Sequence, residues 1–162
     1  MKTSVNSLFL QQTDIREIQE GKLRDLLEYV NAHSTFYKNI FKKNSIDIGK
    51  IQKLEDLVKL PTTSKEDLQA QNDAFLCVPN SSVIEYTSTS GTLGEPVTIA
   101  LTENDLQRLA YNEYNSFTCA GCQQEDLFQL MLTLDRQFMA GIAYYSGIRK
   151  LGAGLILSLI HI

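Results

Sequence analysis

From Thr13 to Val30 the apolar residues Ile15, Ile18, Leu23, Leu26, Leu27 and Val30 fall mostly three or four positions apart, so one face of a helix would carry them. Thr13 is the expected N-cap. Phe36, Tyr37, Ile40 and Phe41 repeat the spacing in a shorter second helix. That aromatic stripe reads as core rather than as a ligand site, because large apolar groups gain most from burial. Thr63-Ser64-Lys65-Glu66 has the hydroxyl-to-glutamate spacing of a capping box and predicts a short helix through Leu68. Lys65 reads as a solvated first-turn lysine, with a phosphate contact as the alternative.

Beyond residue 82 the pattern changes. Val83 to Tyr86 and Val97 to Leu101 are rich in β-branched side chains, and the second run alternates, so both predict strands. Thr102-Glu103-Asn104-Asp105 then reads as a capped helix start, with Leu106, Leu109, Ala110, Tyr114 and Phe117 along one face. Leu127 to Leu132 is almost wholly apolar, as a strand buried on both faces would be. After the interruption Leu134-Asp135-Arg136, a helix from about residue 137 to 150 is expected, ending at a Gly152 C-cap, and apolar residues resume at Leu155. A strand, a helix and a strand in that order predict a right-handed βαβ unit in an α/β fold. The chain shows no internal repeat and no low-complexity segment.

The chemistry concentrates between the first two strands, in Tyr86-Thr87-Ser88-Thr89-Ser90-Gly91-Thr92-Leu93-Gly94-Glu95-Pro96. Gly91 and Gly94 permit positive φ and close approach of backbone to a ligand. Thr89, Ser90 and Thr92 supply hydroxyl donors, and Pro96 stiffens the exit into the next strand. Such a loop can grip an anion with hydroxyls and main-chain N–H groups instead of a fixed positive charge. An ordinary Ser/Thr/Gly turn has the same composition, so that reading stays open. A Walker P-loop is excluded, since no Lys-Ser/Thr follows the second glycine; a Rossmann fingerprint is excluded by the glycine spacing.

Residues 89–96 resemble the phosphate-binding signature of the adenylate-forming superfamily, Ser/Thr-Ser-Gly-Ser/Thr-Ser/Thr-Gly-x-Pro. Phe36-Tyr37 to Phe41, Leu54 to Leu57, Leu60-Pro61-Thr62-Thr63-Ser64-Lys65-Glu66-Asp67-Leu68 and Cys77-Val78-Pro79 are similar, in order, to the region before that loop in the phenylacetate-CoA ligase family. The likeness runs from about Leu23 to Ile156. It implies an N-terminal helical region over 1–82, followed over 83–156 by part of a nucleotide-binding α/β subdomain carrying the βαβ unit. It also implies an AMP-forming ligase that activates a carboxylic acid with ATP and Mg2+ and passes the acyl group to CoA. Thr89, Ser90, Gly91, Thr92 and Gly94 would hold the ATP phosphates. Phe138 aligns with an aromatic residue lining the acyl pocket; read locally, it is a packing residue at a helix start. Two departures stand out: Leu93 removes a hydroxyl, and Glu95 stands where many relatives have lysine.

Hydrophobic residues make up 43% and charged residues 21% of the 162, as in a globular protein with a sizeable core. With 15 Lys and Arg against 19 Asp and Glu, the net charge of -4 supplies no basic field for nucleic acid. No apolar run is long enough for a signal-peptide core or a membrane span, so the expectation is a cytoplasmic protein without membrane partners. Cys119 and Cys122 form a lone CxxC; His33 and His161 lack ligand spacing, so no metal site is expected and the thiols read as ordinary ones.

The last residues, Leu157-Ser158-Leu159-Ile160-His161-Ile162, end within an apparent strand, and 157–162 resemble a translated adaptor sequence. They are expected to be a tail foreign to the protein. Relatives in the family are longer and carry further nucleotide motifs, a hinge and a catalytic lysine downstream, so the chain is expected to be an N-terminal fragment without turnover of its own. Those relatives are often dimers, which makes a homodimer the expectation for the full-length protein. Two alternatives remain: an adenylate-forming enzyme with another acceptor, in an acyl-protein or capsular-polysaccharide pathway, and an inactive fragment or interaction module.

Overall fold

The computed structural model describes residues 11–89, 96–132, 134 and 137–158. The chain divides into two compact units, Met1–Cys77 and Val78–Ile162.

The first unit is helical. Helix α1, Gln12–His33, begins one residue before the expected cap: the main-chain N–H of Gln11 donates to the Asp14 carboxylate at 3.3 Å, so an acidic N3 side chain does the work expected of Thr13. Helix α2, Thr35–Lys43, is capped by Ser34. The buried Ser34 hydroxyl accepts from Tyr37 N–H at 3.3 Å and donates to the carbonyl of Ala74 at 2.9 Å, so its polar capacity is used on both sides. The second bond ties the α1–α2 corner to a 3-10 turn, Asn72–Phe75. Phe75 stacks on Phe36 with ring centres 3.9 Å apart and meets Tyr37 edge-on.

Leu27, Phe41 and Ile51 form the buried core of this unit, surrounded by Leu23, Val30, Tyr37, Ile40, Ile46, Ile48 and Leu60. Each such large side chain contributes roughly 1.5–3 kcal/mol by leaving water. Polar ties fix α1 against the turn Leu54–Lys59: Arg16 bonds Glu20 and Glu55, and Arg24 donates to the carbonyl of Gln52. Helix α3, Lys65–Ala70, is closed by a capping box of Ser64 and Asp67, one residue downstream of the expected Thr63–Glu66 pair. Aspartate at N3 serves as well as glutamate because only a carboxylate within reach of the cap N–H is required.

The second unit contains two small sheets. Strands β1, Glu85–Ser88, and β2, Thr98–Leu101, pair antiparallel with Thr87 opposite Ile99. Helix α4, Glu103–Cys119, starts at the expected Thr102 cap, whose partner is Asp105. It ends in a Schellman motif: Cys122 N–H bonds the Phe117 carbonyl and Gly121 N–H the Thr118 carbonyl, both at 3.0 Å, with Gly121 at φ 88°. Strand β3, Leu127–Leu130, helix α5, Met139–Leu151, and strand β4, Gly154–Leu157, form the expected parallel β-α-β arrangement. Gly152 ends α5 in the left-handed conformation.

The buried-on-both-faces expectation for β3 does not hold. Leu130 is buried, but Leu127 is 68% exposed, and Ile156 on β4 is also exposed. Only one face of this two-stranded sheet is covered among the described residues. Helices α4 and α5 pack closely at Gly147, where a Cβ would lie 2.3 Å from that of Glu113.

Candidate functional site

The site is built at the end of β1. One rung beyond the β1–β2 ladder, Thr89 N–H donates to the Val97 carbonyl at 3.0 Å, and Val97 N–H returns a 3.0 Å bond to the Thr89 hydroxyl oxygen. The hydroxyl thus stands in for a main-chain carbonyl. Because the oxygen accepts, its own proton is left to donate elsewhere. Thr89 is therefore bound twice to the buried Val97. Ser90, Gly91, Thr92 and Gly94, with Leu93 and Glu95, lie outside the described residues.

Phe138 is the N-cap residue of α5 and is 37% exposed. It forms an isolated parallel bridge with Ser88, and the Ser88 N–H donates to the carbonyl of Gln137 at 2.8 Å. The structure therefore brings two of the sequence-derived candidates, Phe138 and Thr89, to the same end of β1.

Two residues at this junction take places other than those expected: Thr87 lies within β1 rather than in the loop, and Gln137 precedes α5 instead of starting it. Thr87 is wholly buried, and its hydroxyl has no hydrogen-bond partner among the described residues. Gln137 adopts φ 59°, the left-handed region. Neither carries a signal in the sequence: an inward threonine reads as ordinary strand, and glycine or asparagine is what marks a left-handed turn.

Lys65 is exposed in the first turn of α3, within the first unit. His33 lies against the Tyr29 ring, 4.7 Å between centres, and His161 is outside the described residues. Cys77, Cys119 and Cys122 are free thiols. Burial pushes the Cys77 thiol up from its ordinary range. Among the described residues no three His, Cys, Asp or Glu side chains are grouped to hold a metal ion. No helix there is long and apolar enough to cross a membrane.

No family model matches the chain. It is 28% identical over 148 residues to phenylacetate-coenzyme A ligase of Thermus thermophilus, a match covering 91% of this chain and 33% of the relative. It is 27% identical over 145 residues to the Escherichia coli protein of that name, covering 88% and 33%. The chain resembles the N-terminal part of phenylacetate-coenzyme A ligase. A solved structure of 2-hydroxyisobutyryl-CoA ligase, in complex with 2-HIB-AMP and CoA, shares the fold with a TM-score of 0.83. At 21% identity it covers 91% of this chain and 32% of its own. A shorter match, 26% identical over 102 residues and 62% of this chain, is to Protein CapK of Staphylococcus aureus. The chain spans about a third of the length of the phenylacetate-coenzyme A ligases that it matches.

Proposed function

We propose that this chain is the N-terminal part of an AMP-forming carboxylate-CoA ligase, with residues 83–156 contributing to its nucleotide site. The observation that supports it most is the likeness to a phenylacetate-coenzyme A ligase over 91% of this chain, a stretch that takes in the hydroxyl-glycine segment and the end of β1 where Ser88 bridges to Phe138. In this reading a carboxylate oxygen attacks the α-phosphorus of ATP, the bond to the bridging oxygen breaks, and pyrophosphate leaves. The thiol of CoA then attacks the acyl carbon of the adenylate and AMP departs. No general base is needed for the first step, since a carboxylic acid is ionised near neutral pH.

Thr89, Ser90, Gly91, Thr92 and Gly94 would act electrostatically. Donors fixed on the β- and γ-phosphates stabilise charge building on the departing pyrophosphate, and a single preorganised donor of this kind is worth about 2.7–4 kcal/mol. Thr89 is preset for this, because the Val97 N–H occupies its oxygen and leaves the hydroxyl proton as donor. Mg2+ would arrive on the ATP phosphates, where it characteristically binds with few protein ligands. Phe138 would line the pocket for the acid. The full-length protein is proposed to be a cytoplasmic homodimer acting on small molecules, with no nucleic acid or membrane partner.

A second reading passes the adenylate to an acceptor other than coenzyme A; beside it stands the shorter likeness to Protein CapK, over 62% of this chain. Incubating the intact protein with ATP and a panel of carboxylic acids, with and without CoA, separates the two. The ligase reading expects an acyl-CoA thioester and AMP only when CoA is present. Adenylate that forms but never reaches CoA would transfer the assignment to the second reading.

A further inference from the structure

The last residue of β1 is held from both sides. On one side lies β2; on the other, the Ser88 N–H bonds the Gln137 carbonyl at 2.8 Å and Ser88 bridges to Phe138. Gln137 reaches that place only by adopting φ 59°, a conformation that a residue with a side chain rarely takes. Strain of this kind persists where the surroundings over-determine it, and it clusters at ligand sites. Here it turns one carbonyl onto the end of β1 and brings the backbone of the partly exposed Phe138 beside Ser88, the residue that precedes Thr89.

We propose that Gln137 is a positioning residue, whose left-handed backbone fixes the offset between Phe138 and the end of β1 and so aligns the carboxylic acid with the nucleotide. The inference rests on the ligase reading, and its contribution lies in the main chain of Gln137 rather than in its amide. Misplacement of reacting groups by an ångström can cost about a hundredfold in rate, so a small loss of this register is measurable.

The test compares Gln137→Gly and Gln137→Asn, which tolerate positive φ, with Gln137→Val, which does not. In the intact protein the Gly and Asn variants are expected to keep KM for the acid within about twofold of wild type, while Val raises it about tenfold or more with a smaller change in KM for ATP. A purely structural role would lower the active fraction without that split. In the 162-residue chain, amide exchange at Ser88 is expected to quicken in the Val variant alone. Equal KM values in Val and wild type, an unchanged Ser88 exchange rate, or a loss in Gly equal to that in Val would each overturn the proposal. A wild-type protein with no acid-dependent pyrophosphate exchange would instead remove the ligase reading on which the alignment depends.

Discussion

The two units bury their side chains by different means. In the first, Leu27, Phe41 and Ile51 form one core ringed by apolar neighbours, and the aromatic rings of Phe36, Tyr37 and Phe75 interlock. In the second, the buried residues Val97, Leu101, Leu130, Ala143 and Ile148 are spread over several elements, while Ile84, Tyr86, Leu127, Met131, Phe138, Ile156 and Leu157 are exposed. Sheets of two strands are marginal by themselves, and parallel ones are ordinarily covered on both faces. The unit that carries the candidate site is thus the one with the less complete apolar cover, and polar details such as Thr89, Thr87 and the Gln137 carbonyl carry more of its local geometry.

The sharpest way to test that contrast is to remove a large side chain from the consolidated core. Phe36→Ala deletes a ring stacked on Phe75 and is expected to cost about 3–5 kcal/mol, read by urea unfolding. A loss below about 1 kcal/mol would show that the aromatic cluster is not the keystone of its unit. In the second unit, Gly147→Ala forces a methyl into Glu113 and Phe117 across the α4–α5 contact and should cost about 1–3 kcal/mol. Wild-type stability in that variant would mean that the two helices part easily.

Smaller effects come from single polar groups. Thr87→Val replaces a buried, unpartnered hydroxyl by a methyl of similar size and is expected to raise stability by about 1 kcal/mol. Destabilisation instead would mean that the hydroxyl has a partner. Ser64→Ala removes the α3 cap and should cost about 1 kcal/mol. The acid limb supplies the least of these effects. Lys59 and the main-chain N–H groups of Gln52 and Lys53 hold the Asp56 carboxylate well below the usual range. A depressed folded-state value stabilises the fold above the unfolded pKa of about 3.9, and that gain is lost as pH falls through the folded value. Melting of Asp56→Asn should therefore fall below wild type at pH 6 and converge with it as the medium becomes strongly acidic.

Much of this architecture was legible. Helical spacing identified α1, α2, α4 and α5; Thr102 and Gly152 marked their ends, and the parallel β3–α5–β4 pairing follows the order of apolar runs. Caps were displaced, by two residues at α1 and one at α3, because Gln11 and Ser64 exploit aspartates at N3, a choice that local composition leaves ambiguous. The exposed face of β3 escaped because an apolar run reports hydrophobicity, whereas burial depends on what packs against it. At the site, hydroxyls and glycines pointed to segment 89–96, but nothing in the sequence could show that Thr89 spends its oxygen on Val97 or that Gln137 bends backward onto Ser88. Those are consequences of pairing between residues far apart in sequence.

The role of the hydroxyl-glycine segment is tested most directly by ATP–pyrophosphate exchange in the intact protein, with Ser90→Ala combined with Thr92→Ala set against wild type. Exchange is expected to depend on a carboxylic acid and to be strongly reduced in the double variant. Exchange of equal rate in both proteins would contradict that role.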